Sequence, residues 1–230
     1  MGATVEFQSN GSTASGYLAK PTTGSGPGVM VLQEWWGLVP QIKRVCDRLA
    51  EEGFVALAPD LYHGESASHT EMDKAGKLMS QLPQDRAARD MGGAIDFLLG
   101  HDAVQSNAVG VVGFCMGGAL TLVIAAGQGP KIGASVSYYG APPPGSAPDW
   151  SPLVAPVLVH AAEADSFFSP ESMRELEASL KKMGKGVTFH YYPGKGHAFA
   201  NEENALGTYD AEAAQQAWER TVEFFRKHLG

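Results

Sequence analysis

Positive charge and long apolar stretches are both scarce in this sequence, and each shortage excludes a class of partner. The 230 residues include 17 Lys and Arg against 25 Asp and Glu, for a formal net charge of −8. That balance leaves no basic surface to attract nucleic acid or anionic lipid. No apolar run approaches the roughly 20 residues of a membrane span, and the first residues lack a signal-peptide pattern. We expect a cytoplasmic monomer that binds neither nucleic acid nor a membrane.

Cysteine is also scarce, because Cys46 and Cys115 are the only two in the chain. Two cysteines so far apart encode neither a disulfide framework nor a Cys-x-x-Cys zinc site. The Gly-x-Gly-x-x-Gly fingerprint of dinucleotide sites is absent as well. We therefore expect no metal and no cofactor. In a reducing compartment, a cysteine thiol would stay unpaired and able to react.

What the chain does contain is an alternation of buried-strand and helical patterns. At 44% hydrophobic content, this length can bury one core, and we expect a single domain over residues 1–230. The alternation predicts an α/β fold whose central sheet is mostly parallel, with helices on both faces and an antiparallel hairpin at one edge. The hairpin is expected at 3–8 and 15–20, further strands at 28–33, 54–58, 109–113, 132–139, 156–160 and 187–192, and helices at 40–52, 71–81, 84–99, 119–126, 170–183 and 208–228.

One strand runs into the sequence Gly113-Phe114-Cys115-Met116-Gly117, after which a helical pattern begins. Strand, sharp turn and helix with a reactive side chain at the tip is the pattern of a nucleophile elbow. The flanking glycines are needed where a Cβ would collide with neighbouring backbone. A helix N-terminus would also favour the thiolate of Cys115. The pentapeptide alone leaves a second interpretation open, a buried and inert cysteine beside a tight turn.

Three more reactive side chains follow predicted strands: Glu34, Asp165 and His197. Open α/β sheets place their chemistry at the carboxyl ends of strands. The order Cys115, Asp165, His197 is the order of nucleophile, acid and histidine in α/β-hydrolases. It predicts that His197 takes the thiol proton while Asp165 orients the imidazole. The backbone N–H groups of Met116 and Trp35 would bind the oxyanion.

Some neighbours of these residues allow other interpretations. Glu163 competes with Asp165 for the role of the acid, since it lies two residues earlier. His160 follows the pattern of a buried or hydrogen-bonded strand residue rather than of a base. Trp35 and Trp36 either line a pocket or belong to the core.

Five motifs together resemble the dienelactone hydrolase family, also called carboxymethylenebutenolidases. The likeness spans nearly the whole chain. It implies an α/β-hydrolase fold without a cap domain, the catalytic triad named above, and hydrolysis of a lactone or ester without a cofactor. The motifs are Gln33-Glu34-Trp35-Trp36-Gly37, Pro59-Asp60-Leu61-Tyr62, Gly113-Phe114-Cys115-Met116-Gly117-Gly118, Tyr138-Tyr139-Gly140 and Gly196-His197-Ala198-Phe199.

The resemblance also implies a catalytic role for Glu34 and a substrate pocket. In the family, the equivalent glutamate contacts the resting cysteine and is displaced when substrate binds. A buried carboxylate beside a thiol disfavours a second anion there, which makes this behaviour physically reasonable. By the same matching, Trp36, Tyr138 and Phe167 would contact the substrate, a small ester or lactone.

The chain departs from the family where the substrate carboxylate would bind. Two arginines of the family are replaced by Gly64 and Asn201, which removes bidentate, charge-assisted contacts to a carboxylate. Lys195, Arg86 and Arg89 are the candidate replacements. We therefore expect neutral substrates to be preferred. The sequence also allows two other interpretations, a redox-responsive thiol protein and a ligand-binding relative without catalysis.

Overall fold

The computed structural model describes residues 2–9, 11–143 and 145–230. Eight strands form one sheet in the order β1-β2-β4-β3-β5-β6-β7-β8. The first two strands form the predicted hairpin, β2 is antiparallel to β4, and all neighbours from β4 to β8 are parallel. The strands are β1 (Ala3–Ser9), β2 (Ser12–Ala19), β3 (Gly28–Leu32), β4 (Val55–Pro59), β5 (Val109–Phe114), β6 (Ile132–Tyr138), β7 (Val157–Ala162) and β8 (Val187–Tyr192).

Helices cover both faces of this sheet. They are α1 (Pro40–Glu51), α2 (Met72–Ser80), α3 (Gln84–Leu99), α4 (Met116–Gln128), α5 (Pro170–Lys182) and α6 (Ala211–Leu229). Helices α1 and α6 pack on one face, and α3, α4 and α5 pack on the other. Every helix in the described part of the chain is too short or too polar to cross a bilayer.

The strand β3 shows why the sequence forms a doubly covered sheet. Val29 and Val31 pack towards α1 and α6, whereas Met30 and Leu32 pack towards α3 and α4. Because side chains alternate across a strand, a strand that is covered on both faces must be apolar at every position. The predicted fold class is confirmed. Between β6 and β7 the described residues form neither helix nor strand, so the sheet carries no cap domain there.

The helix ends follow local chemistry. Gly53, at φ 97°, closes α1 as predicted. The Ser169 hydroxyl accepts a hydrogen bond from the Ser172 N–H at 3.2 Å and caps α5. The last helix begins at Ala211 rather than at 208, because the Asp210 carboxylate caps it by accepting the Ala213 N–H at 2.9 Å.

Candidate active site

Cys115 lies in the turn between β5 and α4, where the parallel strands end. Its backbone has φ 54° and ψ −117°, a conformation that non-glycine residues seldom adopt. Two hydrogen bonds hold the turn: the Cys115 N–H donates to the Tyr138 carbonyl at 3.0 Å, and the Ala119 N–H donates to the Cys115 carbonyl at 3.1 Å. Helix α4 begins at Met116, so Cys115 stands at a helix N-terminus.

The two glycines of the elbow are there because backbone lies where a side chain would begin. A Cβ on Gly113 would be 2.3 Å from the Gly117 carbonyl oxygen. A Cβ on Gly117 would be 2.5 Å from the carbonyl oxygens of Leu32 and Gln33. Such distances are shorter than any carbon–oxygen contact that packing permits, so the predicted collision is confirmed at both positions.

His197 and Asp165 form a buried hydrogen-bonded pair beside this turn. The His197 Nδ1–H donates to Asp165 Oδ2 at 2.9 Å. The other carboxylate oxygen accepts the N–H groups of Phe167 at 2.7 Å and Phe168 at 3.0 Å. With both oxygens engaged, Asp165 fixes the imidazole orientation and leaves Nε2 without a hydrogen-bond partner among the described residues. Glu163, the alternative acid, instead pairs with Arg174 at 2.7 Å on the surface.

Glu34 is buried next to the elbow and accepts hydrogen bonds on both of its oxygens. The Tyr139 hydroxyl donates to Oε1 at 3.3 Å, and the Asn201 amide donates to Oε2 at 2.7 Å. Burial raises the pKa of Glu34, while the charge of His197 and the hydrogen bonds to Asn201 and Tyr139 partly oppose that rise.

Two features of the site raise the pKa of the Cys115 thiol, its burial and the neighbouring Glu34 carboxylate. Burial is the main cause that raises the pKa of Cys115, and the charge of Glu34 raises it further. A hydrogen bond from the Met116 N–H acts in the opposite direction but is outweighed. The helix N-terminus thus acts in the predicted direction, through the Met116 N–H, but burial and Glu34 together outweigh it.

A cavity of about 410 Å³ brings Cys115, His197 and Glu34 to one space. Asp165 lies behind His197 and does not line it. Most of the lining is apolar, and no lysine or arginine is among the described residues that form it. The other lining residues are Trp35, Trp36, Met79, Met116, Ala119, Leu120, Ala141, Pro143, Phe167, Phe168, Ala198, Asn201, Asn204, Ala205, Leu206 and Thr208.

The prediction for Tyr138 is wrong, because its side chain does not line the cavity. Its hydroxyl lies 2.8 Å from the Thr221 hydroxyl on α6, in the core. The adjacent Tyr139 reaches the site instead, with φ 40°, its hydroxyl on Glu34 and its ring centroid 5.2 Å from that of His197. Consecutive residues at a strand end point in opposite directions, so a prediction one residue out of register selects the wrong ring.

The three cationic residues considered as carboxylate ligands all lie outside the cavity. Lys195 pairs with Asp210, and Arg89 pairs with Asp85 at 2.7 Å. Arg86 donates to the Leu61 carbonyl at 3.3 Å. Cys46 is a buried core residue of α1, and both thiols are free.

No metal-binding group is found in the part of the chain that the structure describes, where no three or more His, Cys, Asp or Glu side chains are arranged to hold an ion. The reactive side chains that line the cavity are the Cys115 thiol, the His197 imidazole and the Glu34 carboxylate, and the Asp165 carboxylate lies behind the imidazole.

Comparison with known proteins places these observations in a family. The profile of the dienelactone hydrolase family matches residues 14–229. Protein usf of Aquifex pyrophilus is 40% identical over the full length of both chains. A protein of Aquifex aeolicus, named as a candidate carboxymethylenebutenolidase, is 36% identical, again over both full lengths. The crystal structure of a candidate dienelactone hydrolase from Klebsiella pneumoniae superposes with a TM-score of 0.84 at 25% identity, covering 99% of this chain and all of that one.

Proposed function

The chain belongs to the dienelactone hydrolase family, whose members act on lactone and ester bonds, and we propose that it cleaves small neutral lactones or esters through a thioester on Cys115. The observation that carries this proposal is a single cavity lined by Cys115, His197 and Glu34, with no cationic side chain among its described lining residues. The reaction requires only side chains and backbone of this chain.

In the first half of the reaction, the Cys115 thiol loses its proton to His197 Nε2 and its sulfur attacks the substrate carbonyl carbon. The negative charge passes to the carbonyl oxygen, where the N–H groups of Met116 and Trp35 receive it. When the carbonyl re-forms, the carbon–oxygen single bond breaks and the leaving alkoxide takes the proton from His197. A thioester remains on Cys115.

In the second half, His197 removes a proton from water and the hydroxide attacks the thioester carbon. Collapse expels the Cys115 thiolate, which recovers the proton from His197. Asp165 stays ionised throughout and stabilises the imidazolium that forms in each half. The hydrogen bonds from Phe167 and Phe168 to its second oxygen support that role.

Glu34 sets the resting state of this machinery. Its charge helps to raise the pKa of Cys115, so the free enzyme holds a neutral thiol that is oxidised and alkylated more slowly than an ionised one. Movement of Glu34 away from the sulfur when substrate enters would lower that pKa and allow proton transfer to His197. The neutral donors Tyr139 and Asn201 hold Glu34 by hydrogen bonds, and no lysine or arginine of the described residues pairs with it.

Two polar lining residues, Asn201 and Thr208, already donate hydrogen bonds within the protein, which supports a neutral substrate. Asn201 donates to Glu34 and accepts from the Glu203 N–H. Asn204 accepts the Tyr209 N–H at 2.9 Å, and the Thr208 hydroxyl donates to the His197 carbonyl. A substrate carboxylate in this cavity would lose its hydration without gaining an ion pair, which is costly.

Paired kinetics test the proposal. We expect a neutral lactone to show kcat/KM about tenfold or more above that of the same ring bearing a carboxylate, because a charge-assisted contact is missing. Cys115→Ala should abolish turnover, and mass spectrometry of quenched wild-type reactions should find the acyl group on the Cys115 peptide. The matched control is Cys46→Ala, which removes the core thiol and should retain activity. Preference for the carboxylated lactone, or turnover by Cys115→Ala, would overturn the proposal.

A further inference from the structure

Tyr62 contacts both residues whose backbone N–H groups are proposed to bind the oxyanion. It follows β4, and its side chain is only 4% exposed. The hydroxyl donates to the Trp35 carbonyl oxygen at 3.1 Å. The same hydroxyl lies 3.6 Å from Met116 Sδ, within the range of a weak sulfur acceptor. One buried hydroxyl therefore joins the loop after β3 to the first turn of α4.

Gly117 of α4 already packs against the carbonyl oxygens of Leu32 and Gln33, but the Trp35 carbonyl has no other described hydrogen-bond partner than Tyr62. Trp35 lies in a loop between β3 and α1, where no strand pairing constrains the peptide. Among the described residues, its N–H donates to no backbone carbonyl. Donors in an oxyanion hole are effective because they are already oriented before charge develops. A loop peptide that can rotate would lose that advantage.

Tyr62 is itself held rigidly. The Asp60 carboxylate accepts the N–H groups of Tyr62 at 3.1 Å and of Gly64 at 2.6 Å. The N–H of the intervening Leu61 donates to the Gln33 amide oxygen at 3.3 Å, which gives a second connection to the loop after β3. The aromatic ring thus has a fixed base from which to hold the Trp35 peptide.

From these contacts we propose that Tyr62 is the positioning residue of the oxyanion hole, acting through the Trp35 carbonyl and the Met116 side chain. This inference rests on the proposed function. Tyr62 does not appear among the residues that line the cavity, so it acts through these two neighbours and not on the substrate. Burial is the main cause that raises the pKa of Tyr62, and the hydroxyl therefore remains a donor at every working pH.

The test separates the oxyanion hole from the thiol. Tyr62→Phe removes one oxygen atom, and kcat for a neutral p-nitrophenyl ester should fall about tenfold, less than the 10²–10³ for loss of a direct donor. KM should stay within about twofold, because ground-state binding is unchanged. Alkylation of Cys115 by iodoacetamide, followed by mass spectrometry of its peptide, requires the thiol but no oxyanion site. Its rate should equal that of the wild type.

Each kcat is expressed per folded molecule, with the folded fraction taken from urea unfolding of the same sample, so a partly unfolded sample does not imitate the effect. The matched control is Tyr192→Phe, which removes another buried hydroxyl that bridges two groups, His160 and Arg220, outside the cavity. It should leave kcat within about twofold, as expected for a change remote from the transition state. A kcat near the wild-type value in Tyr62→Phe would overturn the inference, as would a parallel fall in alkylation. Failure of the proposed function has a different signature, ester turnover that survives complete alkylation of Cys115.

Discussion

Two buried histidines lie beside neighbouring strands of this sheet, and they have opposite surroundings. His197 has one ring nitrogen on the Asp165 carboxylate and lines the cavity. His160 in β7 has both nitrogens engaged, Nδ1 at 2.9 Å from the Tyr192 hydroxyl and Nε2 at 3.0 Å from the Thr221 hydroxyl. It lines no part of the cavity and is fully buried, as the sequence predicted.

The difference lies in the partners and not in the depth of burial. A base needs one free nitrogen that faces substrate and an anion that stabilises the imidazolium. His197 has both. His160 has neither, and burial holds its pKa well below the usual value, with the positive charges of His190 and Arg220 adding to that effect. The surroundings of His197 allow it to accept a proton, whereas those of His160 keep its ring neutral in the core.

Replacing His197 should give the largest effect. In His197→Gln the amide can still reach Asp165, so the free energy of unfolding should change little. Loss of the base should lower kcat/KM for a neutral ester by about 10³-fold or more. Steady-state kinetics and urea unfolding of the same sample check this. A fall of less than about tenfold would mean that the two histidines do not differ in the way their surroundings indicate.

Replacing His160 should reverse the pattern. His160→Phe keeps a ring but leaves the hydroxyls of Tyr192 and Thr221 without one partner each, and should lower the free energy of unfolding by about 2 kcal/mol. Activity per folded molecule should stay within about twofold. His190→Phe, at the partly buried register partner in β8 whose ring stacks on His160, serves as the control, with an expected stability change of about 0.5 kcal/mol or less. Loss of activity without loss of stability would contradict this assignment.

The smallest effect is on the pH dependence of stability. The pKa of His160 is lower in the fold than in the unfolded chain, where it is about 6.5. The unfolded state therefore binds the proton first, and stability is complete above about pH 6.5 and decreases as the pH falls below it. The loss attributable to one such histidine is at most about 1.4 kcal/mol per pH unit.

Urea unfolding between about pH 7.5 and pH 5.5 measures this slope. His69, His190 and His228 also have lowered pKa values and act in the same direction. The wild type should therefore lose stability more steeply than His160→Phe, which retains those three. Equal slopes in the two proteins would show that His160 is not held neutral by its surroundings.

Much of the fold, and the chain order of Cys115, Asp165 and His197, could be predicted from local sequence patterns. The continuous apolar run of β3 predicts a strand that is covered on both faces, and the amphipathic pattern of α1 predicts a helix that covers one of them. The direction of a side chain at the end of a strand is harder to predict, since Tyr138 was expected at the site and Tyr139 lies there instead. A pair of adjacent tyrosines gives no local signal for which one contacts Glu34 and His197, because packing against α6 makes that choice.

The sequence by itself determined the elbow and the position of its glycines, because the collision of a Cβ with backbone is a steric fact of a short segment. It also determined the chain order of Cys115, Asp165 and His197. Only the tertiary structure decided what surrounds them. The Glu34 carboxylate contacts Asn201, 167 residues away along the chain, and Tyr139, 105 residues away. Burial of the Cys115 thiol and the nearby charge of Glu34 raise the pKa of Cys115. Distances between remote segments, and the desolvation they produce, exist only once the chain has folded.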